Sequence, residues 1–179
     1  MTTYIALLRA VNVAGHNKVA MADLRDLLNR TGFENARSLL QSGNLIFDGE
    51  RDDTGTIEQI LERASRRHLQ LETDFFVRTT GDWEGIIDRN PYRAEAQRDP
   101  GHLLMMTFKE PPTAANVESL QQAIRGRETL RVFGREGYFV YPDGVGRSRL
   151  TNALIEKKLG TRGTARNWNT VLKLAESAG

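Results

Sequence analysis

Two stretches of the chain, Thr3 to Leu8 (TYIALL) and Leu45 to Phe47 (LIF), are apolar without the alternation that marks a strand with one wet face. Such strands are covered on both sides, so both are expected at the centre of a sheet with a layer on each face. Between them, Met21, Leu24, Leu27 and Leu28 recur at helical spacing, and Thr31-Gly32 is a reasonable stop. A strand around Ala36 to Leu40 then meets Leu45 to Phe47 across Gln41-Ser42-Gly43-Asn44, where glycine supplies the positive φ of a tight hairpin. Ile57, Ile60, Leu61 and Ala64 form the stripe of a second helix, and Phe75-Phe76-Val77 a fourth strand.

The order β-α-β-β-α-β is the ferredoxin-like split pattern, in which the third strand lies between the first and the second. If the first strand runs up, the helix returns down and the second strand runs up again. The loop Asn12 to Lys18 and the turn Gln41 to Asn44 are therefore expected at the same end of the sheet, with Arg9 beside them.

The order is expected to repeat. A short helix with Trp83, Ile86 and Ile87 on one face ends at Asn90-Pro91, because a residue before proline leaves helical geometry. The polar stretch Asn90 to Gly101 marks a boundary, giving subdomains over 1–95 and 96–179. Beyond it come a strand at Leu103 to Phe108, then a helix capped by Thr113 with Val117, Leu120 and Ile124 inward and Gly126 at its end. Strands near Leu130 to Phe133 and Tyr138 to Tyr141 follow, then a helix opened by Ser148 and closed by Gly160. A last helix, capped by Asn167 with Trp168, Val171, Leu172 and Ala175 on its stripe, stands where the first half has its fourth strand. The expected fold is α+β: two ferredoxin-like βαββα-type halves with largely antiparallel sheets and C-terminal helices. Residue-level self-similarity is not visible, so the duplication rests on element order.

Zero cysteines exclude disulfides, thiolate zinc sites and cysteine nucleophiles. His16, His68 and His102 show no metal spacing, and nothing calls for a cofactor. No apolar run approaches the roughly 18 to 20 residues that span a bilayer, and no secretory leader is recognisable, so a cytoplasmic protein with no membrane partner is expected. The net charge of +2 is far from that of a dedicated nucleic-acid binder, although the segment from Arg147 onward carries +5 against −3 for the rest.

Three stretches, LLRAVNVAGHNKVAMADLRDLL, QSGNLIF and GRSRLTNALIEKKLGTRGTARNWNTVLKLAE, resemble the bacterial family catalogued as domain of unknown function 1697. The resemblance is carried by Arg9, Asn12, Gly15, Asn17, Met21, the QSGN residues 41–44, Gly146, Ser148, Leu150, Thr151, Thr164, Arg166, Asn167, Trp168, Thr170 and Lys173. The chain departs from the family pattern at Ala10 and Ala14, where glycine is usual, and at Arg149, where lysine is usual. The resemblance implies an α+β fold of paired ferredoxin-like halves and no known activity.

The candidate site residues are Arg9, Asn12, Lys18, Gln41, Ser42, Asn44, Arg166 and Asn167. Backbone amides at helix starts, with guanidinium and ammonium groups, are the parts of an anion site. The first loop is neither a P-loop nor a GxGxxG turn. Ser42 lacks a G-x-S-x-G elbow, and no triad is assigned. Two functional classes follow. A binding module would clamp a phosphate-bearing small molecule or nucleic acid with Arg9, Lys18, Arg166 and the QSGN turn. An enzyme acting on a phosphorylated small molecule would add proton chemistry, for which His16 is the candidate. The competing reading is structural: Asn12 and Asn17 fold their loop, Asn167 caps a helix, and Trp83 and Trp168 are core anchors.

Overall fold

The computed structural model describes residues 1–11 and 18–179. Its elements are β1 (Thr2–Leu8), α1 (Met21–Arg30), β2 (Glu34–Ser38), β3 (Asn44–Gly49), α2 (Thr54–Leu69), β4 (Phe75–Thr79) and α3 (Thr80–Asp88), then α4 (Arg93–Arg98), β5 (Leu103–Phe108), α5 (Ala114–Ala123), β6 (Thr129–Phe133), β7 (Glu136–Val140), α6 (Asn152–Leu159), β8 (Gly163–Asn167) and α7 (Trp168–Ala178). The fold is α+β, with two four-stranded antiparallel sheets ordered β2-β3-β1-β4 and β6-β7-β5-β8. Both apolar strands, β1 and β3, are central as expected.

The chain divides into one unit of Met1–Gly85 with Lys173–Gly179 and a second of Ile86–Leu172. In the first, Tyr4, Ala6 and Leu8 of β1 pack with Leu24 and Leu28 of α1 and Ile57 and Leu61 of α2, while Ile5 and Leu7 on the opposite face are also fully buried. In the second, Met106 and Phe108 of β5 pack with Leu120 of α5 and Ile155 and Leu159 of α6. Leu103 and Met105, on the other face of β5, are buried too. Period-2 burial of both faces is what a run without polar alternation specifies.

The free edge of β4 is closed by acidic side chains. The Phe75 and Val77 N–H groups donate to Glu62 and Glu58 of α2, at 3.0 and 2.9 Å, and the Thr79 N–H donates to Asp82 of α3 at 3.1 Å. Alternate amides that would otherwise point outward are thus satisfied, two of them by carboxylates one helical turn apart. Glu58 is buried and pairs with buried Arg78 at 3.5 Å, so this contact lies in the interior rather than on a solvated rim.

The duplication holds at the level of single hydrogen bonds. Leu8 N–H donates to Gly43 O at 2.9 Å, and Phe108 N–H to Arg135 O at 2.8 Å. Arg9 N–H donates to Asp74 O at 3.1 Å, and Lys109 N–H to Arg162 O at 2.9 Å. By the same correspondence Ile5 opposite Arg78 matches Met105 opposite Arg166, and each arginine's Nη1 donates to the preceding carbonyl at 2.8 Å. The caps correspond as well: Asp82 N–H donates to Thr79 Oγ1, and Thr170 N–H to Asn167 Oδ1, both at 3.0 Å.

Several expectations are corrected. The second half does have a fourth strand, β8, before its last helix. Gly163 gives β8 no bulky signature at its first position because there is no room for one: a Cβ there would meet Thr107 O at 2.6 Å. The stretch Asn90 to Gly101 contains α4, whose six residues include none that is buried and so leave no apolar stripe to read. Helix α5 ends at Ala123 rather than Gly126. Helix α6 is capped by Thr151, whose hydroxyl accepts from Leu154 N–H, and not by Ser148, whose hydroxyl accepts from Leu150 N–H. On α7 the buried stripe is Trp168, Val171 and Leu174, leaving Leu172 exposed.

Candidate functional site

The end of the first sheet at which β1 stops is built by three segments. Asn44 pairs with Leu7 across β1 and β3, so the QSGN turn lies directly beside the chain as it leaves β1. Gly43 has φ +77°, and a Cβ there would lie 2.9 Å from Leu8 Cβ and 2.6 Å from Val11 Cγ2. Hydrogen in place of a side chain is what lets the turn close onto the segment after β1. From the other side, the Thr73 hydroxyl donates to Arg9 O at 2.5 Å and Arg9 N–H donates to Asp74 O at 3.1 Å. The Arg9 backbone is held through both polar groups, and its side chain is half-buried.

Asn44 is fully buried, and its amide donates to Leu39 O at 2.9 Å and to Ser42 Oγ at 3.0 Å. Its role is to tie the turn together. Gln41 and Ser42 are exposed beside it, and Lys18 is exposed ahead of α1. Asn12 and His16 lie outside the described residues. Two non-glycine residues in the left-handed region flank the two connections, Ala10 at φ +53° and Leu40 at φ +62°. Leu40 is half-exposed at the hairpin.

Arg166 and Asn167 belong to the second unit. Burial pulls the Arg166 guanidinium down to about 10, and its Nη1 donates to Thr164 Oγ1 and Ala165 O, both at 2.8 Å. Asn167 caps α7 through Thr170 N–H. Sequence reasoning missed Thr73 and Asp74, which fix Arg9. The strand order places the residues just before β4 beside the end of β1, and that was the available signal.

Residues 1–138 match the family described as protein of unknown function, DUF1697. The chain belongs to the DUF1697 family. A solved structure described as the conserved bacterial protein SP0830 from Streptococcus pneumoniae is 25% identical, with a TM-score of 0.76 over 99% of each chain. Likeness over that whole length covers both sheets of this DUF1697 chain. No curated protein matches it. Among the described residues, no helix is long and apolar enough to cross a membrane, and no group of three His, Cys, Asp or Glu residues is placed to hold a metal ion.

Proposed function

We propose that the end of the first sheet formed by the β1–α1 connection and the QSGN turn binds a phosphate-bearing ligand. Arg9 and Lys18 supply charge, Gln41 and Ser42 supply hydrogen bonds, and Asn12, outside the described residues, is proposed as a further ligand group. The observation that carries this reading is internal to the molecule. In the second unit the same end is completed by five residues between β5 and α5 and two between β6 and β7. In the first unit the equivalent connections use twelve residues and five.

The fold therefore does not require the additional length, and loops longer than their scaffold needs are where binding groups are commonly carried. Left-handed Ala10 and Leu40 support the same reading, because backbone strain concentrates where surrounding structure serves a ligand. A fixed Arg9 backbone with a half-buried side chain also suits charge-assisted recognition of phosphate.

Titration calorimetry with inorganic phosphate and a nucleoside monophosphate tests the proposal. Arg9→Ala is expected to weaken binding by about 1.5 to 3 kcal/mol, the range for hydrogen bonds to charged groups, with an unchanged melting temperature. A destabilised variant, together with no binding by the native chain at millimolar ligand, would make these loops scaffold.

A further inference from the structure

The opposite end of the second sheet carries a second cationic surface, built by the α5–β6 connection (residues 124–128) and the β7–α6 connection (residues 141–151). Two side-chain contacts pin these loops together. Arg127 makes a two-pronged contact with Asp143, its Nε donating to Oδ2 at 3.1 Å and its Nη2 to Oδ1. The Ser148 hydroxyl donates to Glu128 Oε1 at 2.5 Å and accepts from Leu150 N–H at 3.0 Å. The Tyr141 hydroxyl donates to Leu150 O at 3.0 Å, closing the longer loop on itself.

The consequence is electrostatic. Both acids of the two loops, Glu128 and Asp143, are engaged by neighbours within the loops, while Arg125, Arg147 and Arg149, all three exposed, extend from the same pinned framework. The hydrogen bond from Arg127 holds the Asp143 carboxyl below the usual carboxylate range. His102, whose Nε2 would lie 3.6 Å from a Cβ on Gly144 of the longer loop, pairs with Asp99 at 2.8 Å. Glycines at 126, 144 and 146 leave backbone between the arginines without side-chain cover.

We infer that this face binds the phosphodiester backbone of single-stranded nucleic acid through Arg125, Arg147 and Arg149. Three solvent-facing guanidinium groups on two braced loops match a ligand that repeats its anion at every nucleotide, so that several modest contacts act together. With charge and no exposed aromatic ring in these two loops, the contacts position a backbone and read no base. This inference is independent of the first unit's site and survives or fails separately from it.

Fluorescence anisotropy with a labelled 20-nucleotide RNA tests it. Affinity is expected to fall roughly 20-fold between 50 and 200 mM salt, the dependence for about three neutralised phosphates on a single strand. The triple variant Arg125→Glu, Arg147→Glu, Arg149→Glu is expected to lose about tenfold or more at low salt. A control with the same charge change on exposed residues elsewhere, Arg51→Glu, Arg66→Glu and Arg67→Glu, should bind nearly as the native chain does. If the charge reversal unfolds the protein, the three Arg→Gln changes replace it. No binding at 50 mM salt, equal loss in patch and control variants, or capture by anionic phospholipid vesicles without RNA binding would each overturn the inference.

Discussion

Gly43 and Val11 approach so closely that a Cβ on the glycine would stand 2.6 Å from Val11 Cγ2. The contact joins the hairpin to the segment after β1, and it combines two constraints, since Gly43 also has φ +77°. Gly43→Ala is expected to cost about 2 to 4 kcal/mol, summing left-handed strain and overpacking. Gly134, at φ +58° with no atom within 4 Å of where a Cβ would stand, separates the two causes. Gly134→Ala should cost only about 1 kcal/mol. Equal losses in denaturant melts would show that Val11 yields.

Ala10 carries the opposite prediction. Its φ of +53° is a conformation that a Cβ disfavours, at the position where glycine is usual in the family pattern. Ala10→Gly is expected to stabilise the protein by about 0.5 to 1 kcal/mol, after allowing for the greater freedom of glycine in the unfolded chain. A destabilised variant in the same melts would show that the Ala10 methyl makes packing contacts that outweigh its strain.

Glu58 holds both an edge amide and a buried guanidinium. Glu58→Ala is expected to cost about 3 to 5 kcal/mol, because it takes a carboxylate partner from Arg78 in the interior. Glu62 is half-buried and accepts from Phe75 N–H, so Glu62→Ala should cost about 1 kcal/mol. Comparable losses at the two positions would place Arg78 in contact with water after the change.

Alkaline pH is expected to weaken the second unit through two tyrosines. Burial pushes the hydroxyls of Tyr138 and Tyr141 up to about 12, and they donate to Ile86 O and Leu150 O. Folding favours the protonated form, so this contribution is complete below about pH 10 and is lost as pH rises toward about 12. Melts across that window should show a falling midpoint, with the fall reduced in Tyr141→Phe. An identical pH profile in Tyr141→Phe would rule out that tyrosine as a source.

Legibility followed burial. β1 and β3 were readable because both of their faces are covered, so neither admits polar alternation. β8 was not, since Gly163 must be small to lie against Thr107 O and therefore carries no β-branched signature. On α7, Trp168 and Val171 are compatible with two stripes, one continuing through Leu172 and Ala175 and the other through Leu174. Only packing decides for Leu174. At the candidate site, topology alone put the QSGN turn beside the end of β1. The anchoring of Arg9 by Thr73 and Asp74 was hidden because on the Arg9 side it engages only the N–H and C=O, backbone groups that leave no trace in residue type, with the Thr73 hydroxyl and the Asp74 carbonyl as their partners.

The carboxylates along β4 also set the valence of the first sheet. A strand from another molecule finds the Phe75, Val77 and Thr79 amides already taken, so extension on that side is terminated. Among the described residues, the β2 margin is what remains as an outer strand. A sheet with one such margin pairs margin to margin and then stops, which makes the limiting product of any strand-to-strand association through this unit a closed pair rather than a growing fibre.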